Sequence, residues 1–125
     1  MGLFTKNKKE ERLIKFFKDK NLSIIEHDNL FEITLNFVNN KYYLHPYFKF
    51  DDDILNISIN LRKYNKKENI YEKINSFNLL SKYFKAVIKD DLIILTYNTY
   101  YSGDNEQILD ILNSLYSLEN EIDNL

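Results

Sequence analysis

Side chains capable of chemistry are few in this chain, and their spacing is informative mainly for what it excludes. The two histidines are His27 and His45. His27 lies between Glu26 and Asp28 in an expected turn, where a His-Asp-Asn cluster could in principle bind a divalent cation. Neither a His-x-x-x-His nor a Glu-x-x-His spacing supports such a site. Asp51-Asp52-Asp53 supplies oxygen ligands for calcium but lacks the glycine and distal glutamate of an EF-hand loop. Glycine occurs only at positions 2 and 103, which rules out a glycine-rich loop cradling phosphates. There is no cysteine and no serine elbow with glycine two residues to either side, so the usual activated nucleophiles are missing. We expect no enzyme, no metal site and no cofactor.

The tyrosines carry more information. Tyr43, His45 and Tyr47 alternate along one expected strand, so they should share the wetter face of a sheet. Tyr97, with Tyr100 or Tyr101, is expected to join them. Tyrosine away from the core either packs beneath loops or forms a homodimer or partner interface, where it is enriched. Base stacking on single-stranded nucleic acid is a further use of aromatic sheets. That use needs interleaved cations, and only Lys49 and His45 lie nearby.

The elements that must position these residues are legible. At 125 residues, 44% hydrophobic and 15% aromatic, the chain is one domain with enough apolar surface for a core. Two glycines and one proline leave no linker, so a single domain over residues 1–125 is expected. The absence of cysteine, of a signal-like apolar run and of any segment approaching ~20 apolar residues suggests the cytoplasm and no membrane. Fifteen lysines against two arginines, with abundant Asn and Ile, reflect AT-rich coding, as in a low-GC bacterium or a phage.

Three helices are marked by a capping side chain three residues before Glu or Gln, at Asn7, Asn65 and Asp104. The helices expected are about 6–20, 66–81 and 105–122, each with apolar residues at spacings of three and four. Between the first two the period is two: Phe31 to Phe37, Leu44 to Phe50 and Leu55 to Leu61. Asn39-Asn40 and Asp51-Asp52-Asp53 supply the turns. Pro46 belongs at an edge or a bulge. Residues 23–26 either add a short strand or begin the first one. Residues 86–89 and 92–99 flank Asp90-Asp91 as a hairpin, with Leu92, Ile94 and Thr96 on one face and Ile93, Leu95 and Tyr97 on the other. That two-sided pattern predicts a strand covered on both faces. The fold class is α+β, a two-layer antiparallel sheet with helices on one face, in the order α-βββ-α-ββ-α.

Charge is lopsided. Net charge is −2, yet residues 1–20 hold seven basic side chains, and no Lys or Arg occurs from Asp90 onward against eight acids. Mutual docking of the first and last helices is the reading we favour. The sharper reading is a basic helix for nucleic acid or an acidic helix for a partner.

Asn75 and Asn78 end the middle helix, followed by the 86–101 hairpin, Ser102-Gly103-Asp104 and the 105–122 helix. This arrangement resembles the YbjN-like family of small bacterial proteins, regarded broadly as sensory transduction regulators. The whole element order is similar to the type III secretion chaperone-like fold. The resemblance implies a small, often dimeric, non-enzymatic protein that binds other proteins, and it supplies no catalytic residues. On the residues themselves, Asn75 and Asn78 have a structural use, bonding freed carbonyls at the helix end or reaching the adjoining strand. The expected function is a protein-binding, chaperone-like adaptor. The alternatives are a phage-encoded inhibitor of a host defence protein and a single-stranded nucleic-acid-binding module.

Overall fold

Phe31, Ile33, Phe48, Leu55, Ile57, Ile59, Ile93 and Leu95 are all fully shielded from solvent, and they alternate with exposed or half-buried neighbours. This period of two builds an antiparallel sheet with one dry face. A computed structural model describes residues 7–37, 42–66 and 68–125. The elements are α1 (Lys8–Asp19), β1 (Ile24–Glu26), β2 (Phe31–Ile33), β3 (Leu35–Phe37), β4 (Tyr42–Leu44), β5 (Tyr47–Asp51) and β6 (Ile54–Lys63). They continue with α2 (Tyr71–Leu80), β7 (Lys85–Lys89), β8 (Leu92–Tyr100), α3 (Asn105–Ser117) and α4 (Glu119–Asp123). Six strands form the main sheet in the order β1-β2-β5-β6-β8-β7, and β3 and β4 form a separate pair.

The expected two-layer α+β architecture is therefore present. Six strands precede the middle helix against the three expected, because residues 24–26 make a strand of their own at the sheet's edge and two of the three are split. The helices contribute Leu13, Phe17, Ile74, Phe77, Ile108, Ile111 and Leu115 to a single core shared with the sheet's dry face. Phe17 of α1 lies 5.2 Å from Phe48 and 6.1 Å from Phe31, and those two rings stack at 5.0 Å. One aromatic trio thus joins the first helix to two strands.

Caps and turns behave largely as their chemistry dictates. The Asn7 side chain accepts from the Lys9 N–H and that of Asp104 from the Glu106 N–H, satisfying donors at the starts of α1 and α3. The middle helix starts later than expected, at Tyr71, with no side-chain cap. Instead the Glu68 N–H bonds the Asn65 carbonyl as a turn, and the Glu68 carboxylate goes to Arg62. The last helix is interrupted at Leu118, whose φ of −108° and ψ of 19° break the α-helical run. Asp90 and Asp91 both adopt positive φ, so β7 and β8 are joined by a two-residue loop of the kind that matches strand twist. The Asn39-Asn40 turn lies outside the described residues.

Two expectations need correction. β8 is not covered on both sides: Ile93 and Leu95 are buried, but Leu92, Ile94 and Thr96 are only half-buried. Their shielding comes from cross-strand neighbours such as Val87, Lys85 and Lys89 rather than from a second layer. The strands at 31–37 and 44–50 are each broken once, at Thr34 and at His45-Pro46. The register is nevertheless unchanged across the break. Phe31 lies opposite Phe48 on one side and Leu35 opposite Leu44 on the other, the same offset. At the break the Ile33 N–H bonds the Pro46 carbonyl, and the Thr34 N–H turns to Ser23. Pro46 has no N–H to continue the ladder, which places the interruption there.

α1 is moored to the sheet. Its Lys9 ammonium lies 2.8 Å from the Asp53 carboxylate, donates to the Tyr101 carbonyl at 2.9 Å and sits 5.1 Å from the Tyr100 ring centre. Bonding to Asp53 raises its pKa. Lys18 pairs with Glu26 of β1 at 3.6 Å. The Arg12 guanidinium lies where a side chain on Gly103 would stand, 3.0 Å from an ideal Cβ, and Gly103 has φ of +97°. Its missing side chain is thus required for two reasons.

Candidate protein interface

Strand pairing decides which tyrosines share a face. Tyr47 lies opposite Ser58, and Ser58 opposite Thr96, so these three project to the open side of the sheet. Tyr100, opposite Ile54, is on that side too and is 57% exposed. Tyr43 is 60% exposed, and His45 is exposed, its Nδ1 lying 3.3 Å from the Thr34 hydroxyl. Tyr97 and Tyr101 depart from the expected grouping. Tyr97 lies opposite the buried Ile57, on the dry face, 5.4 Å from the Tyr83 ring. Tyr101 is fully buried and donates its phenol to Asn105 Oδ1 at 2.5 Å.

The strand ends at Tyr100, and the chain then turns under the sheet toward α3, which carries the next aromatic ring inward. Tyr43 and Tyr100 are about eight residues and two strands apart in register, on the order of 20 Å or more at ~3.3 Å per residue. The six residues do not form one platform. The open face carries Lys49, Lys63 and Lys89 against Asp51 and Glu32, while the Lys85 ammonium turns away to α2. Such near balance does not favour a polyanion. His27, the other histidine, lies 3.1 Å from Glu32.

Of the asparagine pair, one residue has the expected structural use. Asn78 Nδ2 donates to the Ala86 carbonyl at 3.1 Å, and Asn78 Oδ1 accepts from the Ala86 N–H at 2.6 Å. The primary amide thus copies the pairing of a neighbouring strand along the outer edge of β7. Lys85 completes the junction by donating to the carbonyls of Asn78 and Ser81 at 2.8 and 2.9 Å, where the helix end leaves acceptors free. Asn75, nearly one turn earlier on the same flank of α2, is exposed.

Both outer edges of the main sheet are therefore guarded. β7 has the Asn78 amide and flanking lysines, and β1 is three residues long. A third edge lies inside the molecule. β5 pairs with β6 only as far as Tyr47 opposite Ser58, so residues 59–63 of β6 have no strand on that side among the described residues. A bulge at Leu61 adds to the divergence.

β4, which would continue the ladder, leaves to pack on the C-terminal helices. Phe37 stacks on Tyr42 at 5.2 Å and on Tyr116 at 4.8 Å, and the Tyr42 phenol reaches the Glu119 carbonyl at 3.4 Å. A cleft of about 300 Å³ separates the two strands, lined by Tyr42, Tyr43 and Leu44 on one wall and Asn60, Leu61 and Arg62 on the other. Ile122, Asp123 and Leu125 close its base. Pro46 is the sequence signal for this divergence, whereas the bulge and the role of Arg62 have none.

Burial, aided by Asp123 and Glu119, pushes the Tyr42 phenol up to about 12. An unfolded tyrosine ionises near about 10. The stabilising contribution is thus complete below a pH of about 10 and lost as pH rises through about 12. Tyr42→Phe is expected to flatten the fall of urea-unfolding free energy with pH across this window. An unchanged slope would show that the phenol ionises freely.

No family model matches the chain, and no curated protein matches it. Among the described residues no helix is long and apolar enough to cross a membrane.

Proposed function

We propose that this chain is a non-catalytic, chaperone-like protein-binding module acting in the cytoplasm, and that it receives an extended segment of its partner along the internal edge of β6. One observation carries the reading: residues 59–63 present an edge with no neighbouring strand among the described residues, where Arg62 takes only the Lys63 carbonyl, and it opens to a cleft in a sheet whose two outer edges are both guarded. Unpaired N–H and C=O groups of a strand are satisfied by another strand, which makes an extended polypeptide the matching ligand. A cleft of about 300 Å³ is at the small end for enclosing a compact small molecule. The resemblance to YbjN-like proteins and the secretion-chaperone-like fold supports the same class of function. Tyr43 belongs to this site as a wall of the cleft, and Tyr100 does not.

The test is selection from a displayed library of extended peptides, followed by affinity measurement on Leu61→Lys and on Tyr100→Ser. A lysine at Leu61 puts a charge into the edge and is expected to reduce capture at least about tenfold, with the melting temperature monitored as a folding control. Tyr100→Ser is expected to bind normally. Binding that survives Leu61→Lys, or that is lost in Tyr100→Ser, overturns the edge reading. Sedimentation of the wild-type chain decides whether a second copy supplies the strand, since such a dimer would dissociate on the same Leu61→Lys change.

A further inference from the structure

The bulge at Leu61 has a chemical outcome inside the cleft. It sets Arg62 opposite Ile93, in a row of the dry face, and the guanidinium therefore turns toward the base of the cleft rather than out to the open face. There Nε donates to the Leu125 main-chain oxygen at 2.6 Å, Nη1 to the Lys63 carbonyl at 3.0 Å and Nη2 to Glu68 Oε2 at 2.8 Å. The first two bonds are to backbone and fix the planar fork. The third is to a side chain on the connection before α2, and both members of that pair are about 40% exposed. A solvated ion pair of this kind contributes little and exchanges readily. At the base Asp123 lies toward the Tyr42 wall, where its charge acts on that phenol and repels an acid, and Ile122 and Leu125 make the rest of the base apolar.

Resting on the strand-acceptor reading, we infer that the occupant is an extended segment with alternating apolar residues and one carboxylate, and that this carboxylate takes the Arg62 guanidinium from Glu68. Arg62 is a specificity residue and Glu68 is its internal competitor. Apolar side chains facing inward pack against the half-buried Leu61 and the exposed ring of Tyr43. The acid lies at the Arg62 end because the Asp123 side excludes it. A guanidinium already oriented by two backbone acceptors offers a carboxylate a fork at low ordering cost.

The experiment uses three fluorescein-labelled peptides of alternating valine and threonine, identical except for a Glu, Gln or Lys residue, placed at either end in separate sets. Anisotropy titrations are run against wild type, Glu68→Gln, Arg62→Gln and Arg62→Lys. The expected result is a Glu-over-Gln preference of about threefold in wild type, the scale of a partly exposed ion pair. Glu68→Gln strengthens binding of the Glu peptide by a similar factor and leaves the Gln peptide unchanged.

Arg62→Gln abolishes the preference, and Arg62→Lys keeps part of it, which separates loss of charge from loss of folding. A preference that persists in Arg62→Gln, or a Lys peptide that binds as tightly as the Glu peptide, overturns the assignment of Arg62 while leaving the strand-acceptor reading intact. Failure of every peptide to bind any variant sinks that reading as well.

Discussion

Phe48→Ala is expected to destabilise the fold by about 3–5 kcal/mol, the cost of emptying a fully buried aromatic site. Phe48 has no exposed surface, stacks on Phe31 with an interplanar angle of 7° and lies 5.2 Å from Phe17. Truncation removes the ring that links α1 to the β2–β5 pair, and the strand backbone on either side is hydrogen-bonded, so the space has little room to collapse. A domain of this size has only about 5–15 kcal/mol in total. The loss should therefore appear as a fall of roughly 10–20 °C in melting temperature.

Phe48→Leu, which keeps much of the volume, should cost well under half as much. Urea titration of the three proteins reads both numbers. A cost below about 1 kcal/mol for the alanine variant would mean that the site refills, contrary to the close packing of the three rings.

Asn78→Ala is expected to cost about 2–3 kcal/mol, because it leaves both backbone groups of Ala86 without partners in a half-buried setting. Asn75→Ala, nearly one helical turn earlier and exposed, should stay within about 0.5 kcal/mol. The contrast between two like substitutions on one helix isolates the amide clamp from helix propensity. Hydrogen exchange offers a local reading, since the Ala86 amide should lose protection in Asn78→Ala and keep it in Asn75→Ala. The outer edge of β7 also becomes available for pairing, so the variant should self-associate with rising concentration. Equal effects of the two substitutions would dismiss the clamp.

Much of the architecture is legible in the residues alone, because burial and capping there depend on local order. Phe31, Ile33, Leu35 and Phe37 alternate and are all buried, and Asn7 and Asp104 cap the helices they precede. Asn78 is recognisable too, since an amide at a helix end beside a strand has few other uses. Local reading fails where distant segments compete. Glu68 has the spacing of a capping box but is drawn to Arg62, and the middle helix starts later as a result.

Tyr97 and Tyr101 share a composition with the exposed tyrosines, yet pairing with Ile57 and the turn toward α3 carry them inward. No local pattern reports which strand of a sheet peels away from its neighbour. Pro46 marks where the ladder stops, but only the packing of Phe37 and Tyr42 on the last helices sets where β4 goes.

The mooring of Lys9 has a bearing on how the molecule is made. Its ammonium is held by a carbonyl 92 residues further along, at Tyr101, and by a carboxylate 44 residues on, at Asp53. A helix synthesised before both of these partners is thus fully seated only after Tyr101 has followed it. Phe17 is covered sooner, once Phe31 and Phe48 have followed it, so the apolar face of the newborn helix closes before its first turn is moored.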